Sequence, residues 1–129
     1  MPRPRLLVID DEPWLGEFVA EVAQESGFET RVTSNDNQFR SSFLAHKPAL
    51  VALDLGMPGM DGIELLRFLA EQRYRSPVLI VSGFDRRVLE SAFDLGQALG
   101  LTMAGPLEKP MRIHELEEVL SLLKQDLAA

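Results

Sequence analysis

Residues 49–55, "ALVALDL", decide the fold. Five apolar residues run without a polar break into Asp54. An unbroken apolar strand, as opposed to an alternating one, is expected where helices cover both faces of a sheet. A strand of that kind belongs to a parallel sheet built from strand–helix units. The next residues fit: "GMPGM" reads as a loop, and "DGIELLRFLAEQ" reads as a helix with Asp61 and Glu64 at capping-box-like spacing. Ile63, Leu66 and Ala70 continue one face of that helix.

The same alternation extends in both directions. "RLLVI" reads as a first strand, followed by Leu15, Phe18, Val19, Val22 and Ala23 at helical spacing. "TRV" near residue 31 is a short strand, and "NDNQFRSSFLAH" a second helix with Asn or Asp available as its cap. "PVLIVSG" is the fourth strand; Val88, Ala92, Leu95 and Leu99 mark a fourth helix. "LTMAGPL" is the fifth strand, and Ile113, Leu116, Leu120, Leu123 and Leu127 mark a fifth helix. Strand and helix repeated five times predict one α/β domain over residues 1–129, a (βα)5 parallel sheet with helices on both faces. Right-handed crossovers leave few topologies, and the flavodoxin-like doubly wound order 2-1-3-4-5 is the one expected here, compatible with the sequence without being required by it. Pro106 agrees with that order, because strand five is an edge and proline is tolerated there.

Composition narrows the function classes. With 129 residues, 46% of them hydrophobic, the chain can build one real core. No cysteine is present, which excludes disulfides and thiolate metal sites and suits a reducing cytoplasm. No stretch approaches the roughly 18 apolar residues of a membrane span. The apolar run in "MPRPRLLVIDDEP" is too short for a signal peptide. A net charge of −7 without a lysine/arginine cluster disfavours direct nucleic-acid binding.

Open α/β sheets bind ligands beyond the carboxyl ends of their strands. Strand one ends in Asp10 and Asp11, strand three in Asp54, strand four in Ser82 and strand five in Lys109. In the order 2-1-3-4-5 these ends are neighbours. Three carboxylates gathered without a cation would push at least one pKa up strongly. Oxygen donors without nearby histidine or cysteine select Mg²⁺ or Mn²⁺ over zinc. A carboxylate can attack phosphorus to give an acyl phosphate, with metal, ammonium and hydroxyl stabilising the transferring group.

These residues make the chain resemble the receiver domains of two-component response regulators. The resemblance rests on Asp10-Asp11, "LDLGMPGMDG" around Asp54, Ser82 after "LIV", and Lys109-Pro110. It covers essentially the whole chain. It implies that Asp54 accepts the phosphoryl group. Asp11 would ligate Mg²⁺ directly, Asp10 mostly through water, and the Gly56 backbone carbonyl would complete the protein ligands together with Asp54. Ser82 would hydrogen-bond the phosphoryl group and Lys109 would pair with one of its oxygens. The Lys109-Pro110 peptide is expected to be cis on the same grounds.

The implied partners are a sensor histidine kinase or phosphotransfer protein. The output would be a C-terminal domain missing from this chain or a separate effector, with a homodimer through the helix 4–strand 5–helix 5 face as a further contact. The composition adds the expectation of a cytoplasmic protein that binds neither membrane nor nucleic acid directly. It would be no turnover enzyme, since it would catalyse only its own phosphorylation and dephosphorylation. The 28 residues from Ser82 to Lys109 exceed the family's usual length by about one helical turn and resemble receivers attached to EAL-type cyclic-di-GMP phosphodiesterases.

Two departures bear on signalling. Pro106 stands where the family usually has a switch aromatic, and Gly83 where it usually has alanine. Phe84 is an alternative reporter. The first departure keeps a phosphorylation-independent interaction module open. An aspartate-nucleophile phosphatase of the haloacid-dehalogenase type is less well matched, because it wants a second aspartate where Gly56 stands. Taken singly, each residue has an ordinary reading: Asp10-Asp11 as a turn and helix cap, Lys109 as a surface lysine, Ser82 as a strand-end hydroxyl. Glu12 suits the positive end of the first helix and Pro13 its first turn. His46 and His114 fall on helices away from the strand ends, and Trp14 adjoins the acidic pair.

Overall fold

A computed structural model describes residues 3–10, 12–55, 62–83, 86–109 and 111–128. Elements follow in the order β1 (Arg5–Ile9), α1 (Pro13–Glu25), β2 (Glu29–Thr33), α2 (Asp36–His46), β3 (Leu50–Leu53), α3 (Gly62–Glu71), β4 (Pro77–Ser82), α4 (Arg86–Ala98), β5 (Thr102–Glu108) and α5 (Ile113–Ala128). The five strands form one sheet of order β2-β1-β3-β4-β5, and every pairing is parallel. The predicted fold and order are therefore those observed.

The two-sided burial read from "ALVALDL" is literal. Leu50 and Ala52 pack with Leu6, Val8, Leu79 and Val81 against α1 and α5. Val51 and Leu53 pack with Leu7, Ile9, Val78 and Ile80 against α2, α3 and α4. Successive side chains point to opposite faces, so a strand buried on both must be apolar throughout. Strand β2, at one edge, has little of this burial, and Thr33 is its buried residue.

Local signals set the helix ends. Pro13 lies in the first turn of α1. The Asn35 side chain accepts the Gln38 N–H at 2.9 Å at the start of α2, and Gln38 Oε1 accepts the Ser34 N–H at 3.1 Å. The first bond satisfies a donor the helix leaves open, and the second ties the preceding residue to its first turn. Asp61, the expected cap of α3, lies outside the described residues.

Helix α4 is rotated from the expected face, while α5 keeps its expected face through Leu116, Leu120, Leu123 and Leu127 and departs only at Ile113. On α4 the inward residues are Leu89, Ala92 and Gly96, while Val88 is 45% and Leu99 37% exposed. Gly96 packs against the Met103 side chain of β5, where an added Cβ would clash with the methionine sulfur. On α5, Leu116 and Leu120 are buried but Ile113 is exposed, because it opens the helix before the sheet covers it.

Strand β5 carries an irregularity. Leu79 pairs with Ala104 and Val81 with Leu107, so β5 spends one residue more than β4 over the same rise. The extra residue falls at Gly105–Pro106, where Gly105 has φ +81° and the peptide bond is cis. Edge strands tolerate such a bulge best, and glycine tolerates the left-handed backbone. Pro106 is thus at the edge, as expected.

At the amino-terminal side of the sheet, the Tyr74 hydroxyl donates to the Pro48 carbonyl at 3.0 Å, and its ring packs edge-on against Phe43 at 5.2 Å. Burial pushes the phenol's ionisation well above the ordinary tyrosine range. Tyr74→Phe is expected to lower unfolding stability by about 1–2 kcal/mol, the cost of a missing hydrogen bond to a buried carbonyl. Urea denaturation measures this, and an unchanged stability would contradict it.

Candidate functional site

The carboxyl ends of β1, β3 and β5 bring Asp10, Asp54 and Lys109 together. Asp10 follows β1 and is 4% exposed; Asp54 follows β3 and is 5% exposed. The Asp10 N–H donates to the Thr33 carbonyl at 3.1 Å, and the Asp54 N–H donates to the Ile9 carbonyl at 3.1 Å. Both acids are thus held by the sheet's last rungs. Lys109 Nζ donates to Asp10 Oδ2 at 2.8 Å and to Asp54 Oδ2 at 3.2 Å. The other oxygen of Asp10, Oδ1, accepts the Glu12 N–H at 3.0 Å.

The bulge in β5 explains why Lys109 reaches this cluster. Leu6 and Val8 lead to Asp10 on the α1/α5 face, and Leu50 and Ala52 lead to Asp54 on the same face. Ala104 lies on that face too. Regular alternation would put residues 106 and 108 there next. The extra residue puts Leu107 there, in phase with Lys109. Glu108 instead turns toward α4, where Arg86 Nη1 lies 3.7 Å from its Oε1.

Among the described residues, the Lys109 ammonium bridges the two buried carboxylates. Burial holds Asp10 above the ordinary carboxyl range, against the opposing pull of Lys109 and the Glu12 N–H. Burial also disfavours the Lys109 ammonium, but the hydrogen bond to Asp10 and the charges of both acids overcome it and hold Lys109 above the ordinary lysine range. A group whose folded pKa is raised gives stability that is full below its unfolded value and is lost as pH rises through the folded one. Ionised Asp10 is therefore a cost. Without divalent cations, Asp10→Asn is expected to gain stability relative to the unmodified chain as pH rises through the Asp10 titration. Paired thermal melts across that range check this, and a constant difference between the two chains would contradict it.

The donor chemistry fits a hard divalent cation. It consists of buried carboxylate oxygens, with no sulfur or imidazole among the described groups. Among the described residues no group of three His, Cys, Asp or Glu is placed to hold a metal. The expected ligands Asp11 and Gly56 lie outside the described residues, as do Pro110 with its expected cis bond, and Phe84.

Ser82 closes β4, in register with Glu108. Gly83 comes next, and a Cβ there would meet Lys109 Cβ at 3.9 Å, an ordinary contact. Glu12 enters the site through its backbone and makes no side-chain cap bond. His114 is exposed on α5, and His46 lies at the far end of α2, where its carbonyl accepts a bond from Arg5 at 2.9 Å. Beside Lys109 opens a cleft of about 360 Å³ lined by Glu12, Trp14, Leu15, Phe18, Gly83 and Met111, with Trp14 67% exposed. Thr33 was not anticipated from the sequence. Its hydroxyl donates to the Val8 carbonyl at 2.7 Å, and only knowledge of the β1–β2 pairing reveals that.

The family described as response regulator receiver domain matches residues 6–121. The chain belongs to that family. The transcriptional regulatory protein SphR of Synechococcus elongatus is 34% identical over 89% of this receiver and 46% of its own length. PdtaR of Mycobacterium tuberculosis, also a transcriptional regulatory protein, is 32% identical over 95% of this receiver and 57% of its own length. The receiver thus spans about half the length of these curated relatives. Among solved structures, a Francisella response-regulator receiver domain superposes with TM-score 0.79 at 27% identity, covering 96% of this chain and 98% of that one. A response regulator from Colwellia psychrerythraea gives 0.76 at 29% identity, covering 95% and 98%. The expected receiver of two-component signalling is what these likenesses support. No described helix is long and apolar enough to cross a membrane.

Proposed function

We propose that Asp54 of this receiver is the phosphoacceptor, served by Asp10, Asp11, Ser82 and Lys109. The observation that carries the reading is Lys109 Nζ within hydrogen-bonding distance of both Asp10 and Asp54 at the carboxyl ends of β5, β1 and β3. A carboxylate oxygen of Asp54 attacks phosphorus of a phosphohistidine or small acyl phosphate. The P–O bond to Asp54 forms as the bond to the leaving group breaks, and a histidine leaving group takes up a proton. As an acyl phosphate, Asp54 loses its own carboxylate charge while the phosphoryl oxygens bring new charge, so Lys109 exchanges a carboxylate partner for a phosphoryl oxygen. The Ser82 hydroxyl donates to another phosphoryl oxygen.

Asp10, Asp11, Asp54 and the Gly56 carbonyl would hold Mg²⁺ or Mn²⁺. That cation would neutralise charge on the transferring group. The chain turns over no other substrate. Its donor is a sensor histidine kinase or phosphotransfer protein, which places the reaction in the cytoplasm, and the cleft beside Lys109 with the exposed Trp14 offers that donor an apolar seat. Output passes to a domain beyond this chain, a separate effector, or a second copy through the α4–β5–α5 face. Pro106 offers no aromatic ring to follow Ser82, and Glu108 beside Lys109 pairs with Arg86 of α4 at 3.7 Å.

Incubation with Mg²⁺ and acetyl phosphate is expected to add one phosphoryl group, read by intact mass, and chelation of the metal to prevent it. Absence of both labelling and Mg²⁺ binding would sink the proposal. Pro106 also favours a second reading, an interaction module whose partner affinity ignores phosphorylation. Partner affinity measured with and without beryllofluoride and Mg²⁺ separates the two.

A further inference from the structure

We propose that Thr33 is a positioning residue for the cation site, acting through Asp10; the inference rests on the proposed reading of that site. Strand β2 is an edge strand that faces mostly solvent: Glu29, Arg31 and Val32 are exposed and Thr30 is half-buried. Its last residue breaks the pattern. Thr33 is polar and yet 4% exposed. Two of its hydrogen bonds go to the end of β1. The hydroxyl donates to the Val8 carbonyl at 2.7 Å, and the Thr33 carbonyl accepts the Asp10 N–H at 3.1 Å. Thr33 pairs in register with Ile9, so these bonds bracket the residue that precedes Asp10.

The remaining contacts of Asp10 locate its side chain rather than its backbone. Oδ1 takes the Glu12 N–H, and Oδ2 takes Lys109, which must be free to leave for a phosphoryl group. Beyond Ile9 the strand has ended, and the Thr33 carbonyl is what β2 offers to hold the Asp10 backbone in line. Residues that hold a metal ligand in place, without touching the metal, typically control its affinity about 10- to 100-fold. Such support must fix the ligand to about 0.5 Å. A short, otherwise solvated edge strand gains that stiffness from the second bond made by the Thr33 hydroxyl.

Thr33→Val keeps the shape and removes the hydroxyl; Thr33→Ser keeps the hydroxyl. Tyr74→Phe removes a comparable bond to a buried carbonyl at the opposite end of the sheet and serves as a control for stability loss alone. The readout is the Mg²⁺ dissociation constant of the folded chain from amide chemical shifts, with acetyl phosphate labelling alongside. Thr33→Val is expected to weaken Mg²⁺ binding about 10-fold or more. Thr33→Ser is expected to restore it, and Tyr74→Phe to leave it unchanged. Thr33→Val binding Mg²⁺ as the unmodified chain does, or Tyr74→Phe weakening it equally, would overturn the positioning role while leaving the cation site standing. An unmodified chain that neither binds Mg²⁺ nor takes up phosphoryl removes the site itself and this role with it.

Discussion

Asp54→Asn is expected to abolish phosphoryl uptake while leaving the chain folded. The amide is a poor nucleophile toward phosphorus, and the neighbouring Asp10 is poorly placed to substitute for it. Its two oxygens are engaged by the Glu12 N–H and by Lys109. The same substitution removes one of two buried carboxylates that lie against Lys109, and the burial cost of its charge with it, so unfolding stability without Mg²⁺ is expected to hold or rise. Loss of labelling with undiminished stability separates lost chemistry from lost structure. Full labelling of Asp54→Asn would contradict the assignment.

Removal of Lys109 is expected to cost the most stability. Lys109→Met leaves Asp10 and Asp54 buried with their shared cation gone. Breaking a buried ion pair from one side costs about 3–5 kcal/mol, because the stranded charge has lost its solvent as well as its partner. Lys109 has its pKa raised in the fold, so its contribution is full below the ordinary lysine value and fades only above the raised one. Across about pH 6–9 the cost of Lys109→Met is therefore expected to stay large. It is expected to shrink in acid, where protonated Asp10 no longer needs an ammonium, and to shrink when Mg²⁺ is added. Urea unfolding at several pH values, with and without Mg²⁺, measures all three effects. A cost that is small at neutral pH, or that Mg²⁺ leaves untouched, would contradict the shared-cation description.

The sequence made Asp10, Asp54 and Lys109 legible as a group because strand polarity in a parallel sheet determines which chain positions meet. Once "ALVALDL" is a doubly covered strand, Asp54 must stand at its carboxyl end, beside the acids that end "RLLVI". The β5 bulge was not legible. One extra residue at Gly105–Pro106 reverses the phase of Leu107 to Lys109, and phase depends on pairing with β4, which composition does not encode. The face of α4 was misjudged for a related reason. Val88 and Leu89 are adjacent and both apolar, and the sequence does not distinguish them; Leu89 is buried in line with Ala92 and Gly96, and Val88 is exposed. Thr33 was missed because a threonine ending a weak strand is unremarkable until its two bonds to β1 are known.

The most direct test locates the phosphoryl group itself. After incubation with Mg²⁺ and acetyl phosphate, borohydride reduction converts an aspartyl phosphate to homoserine, and peptide mapping then reports which residue was modified. Conversion confined to position 54 is the predicted result. Conversion at position 10 or 11, or none in a chain that binds Mg²⁺, would contradict it.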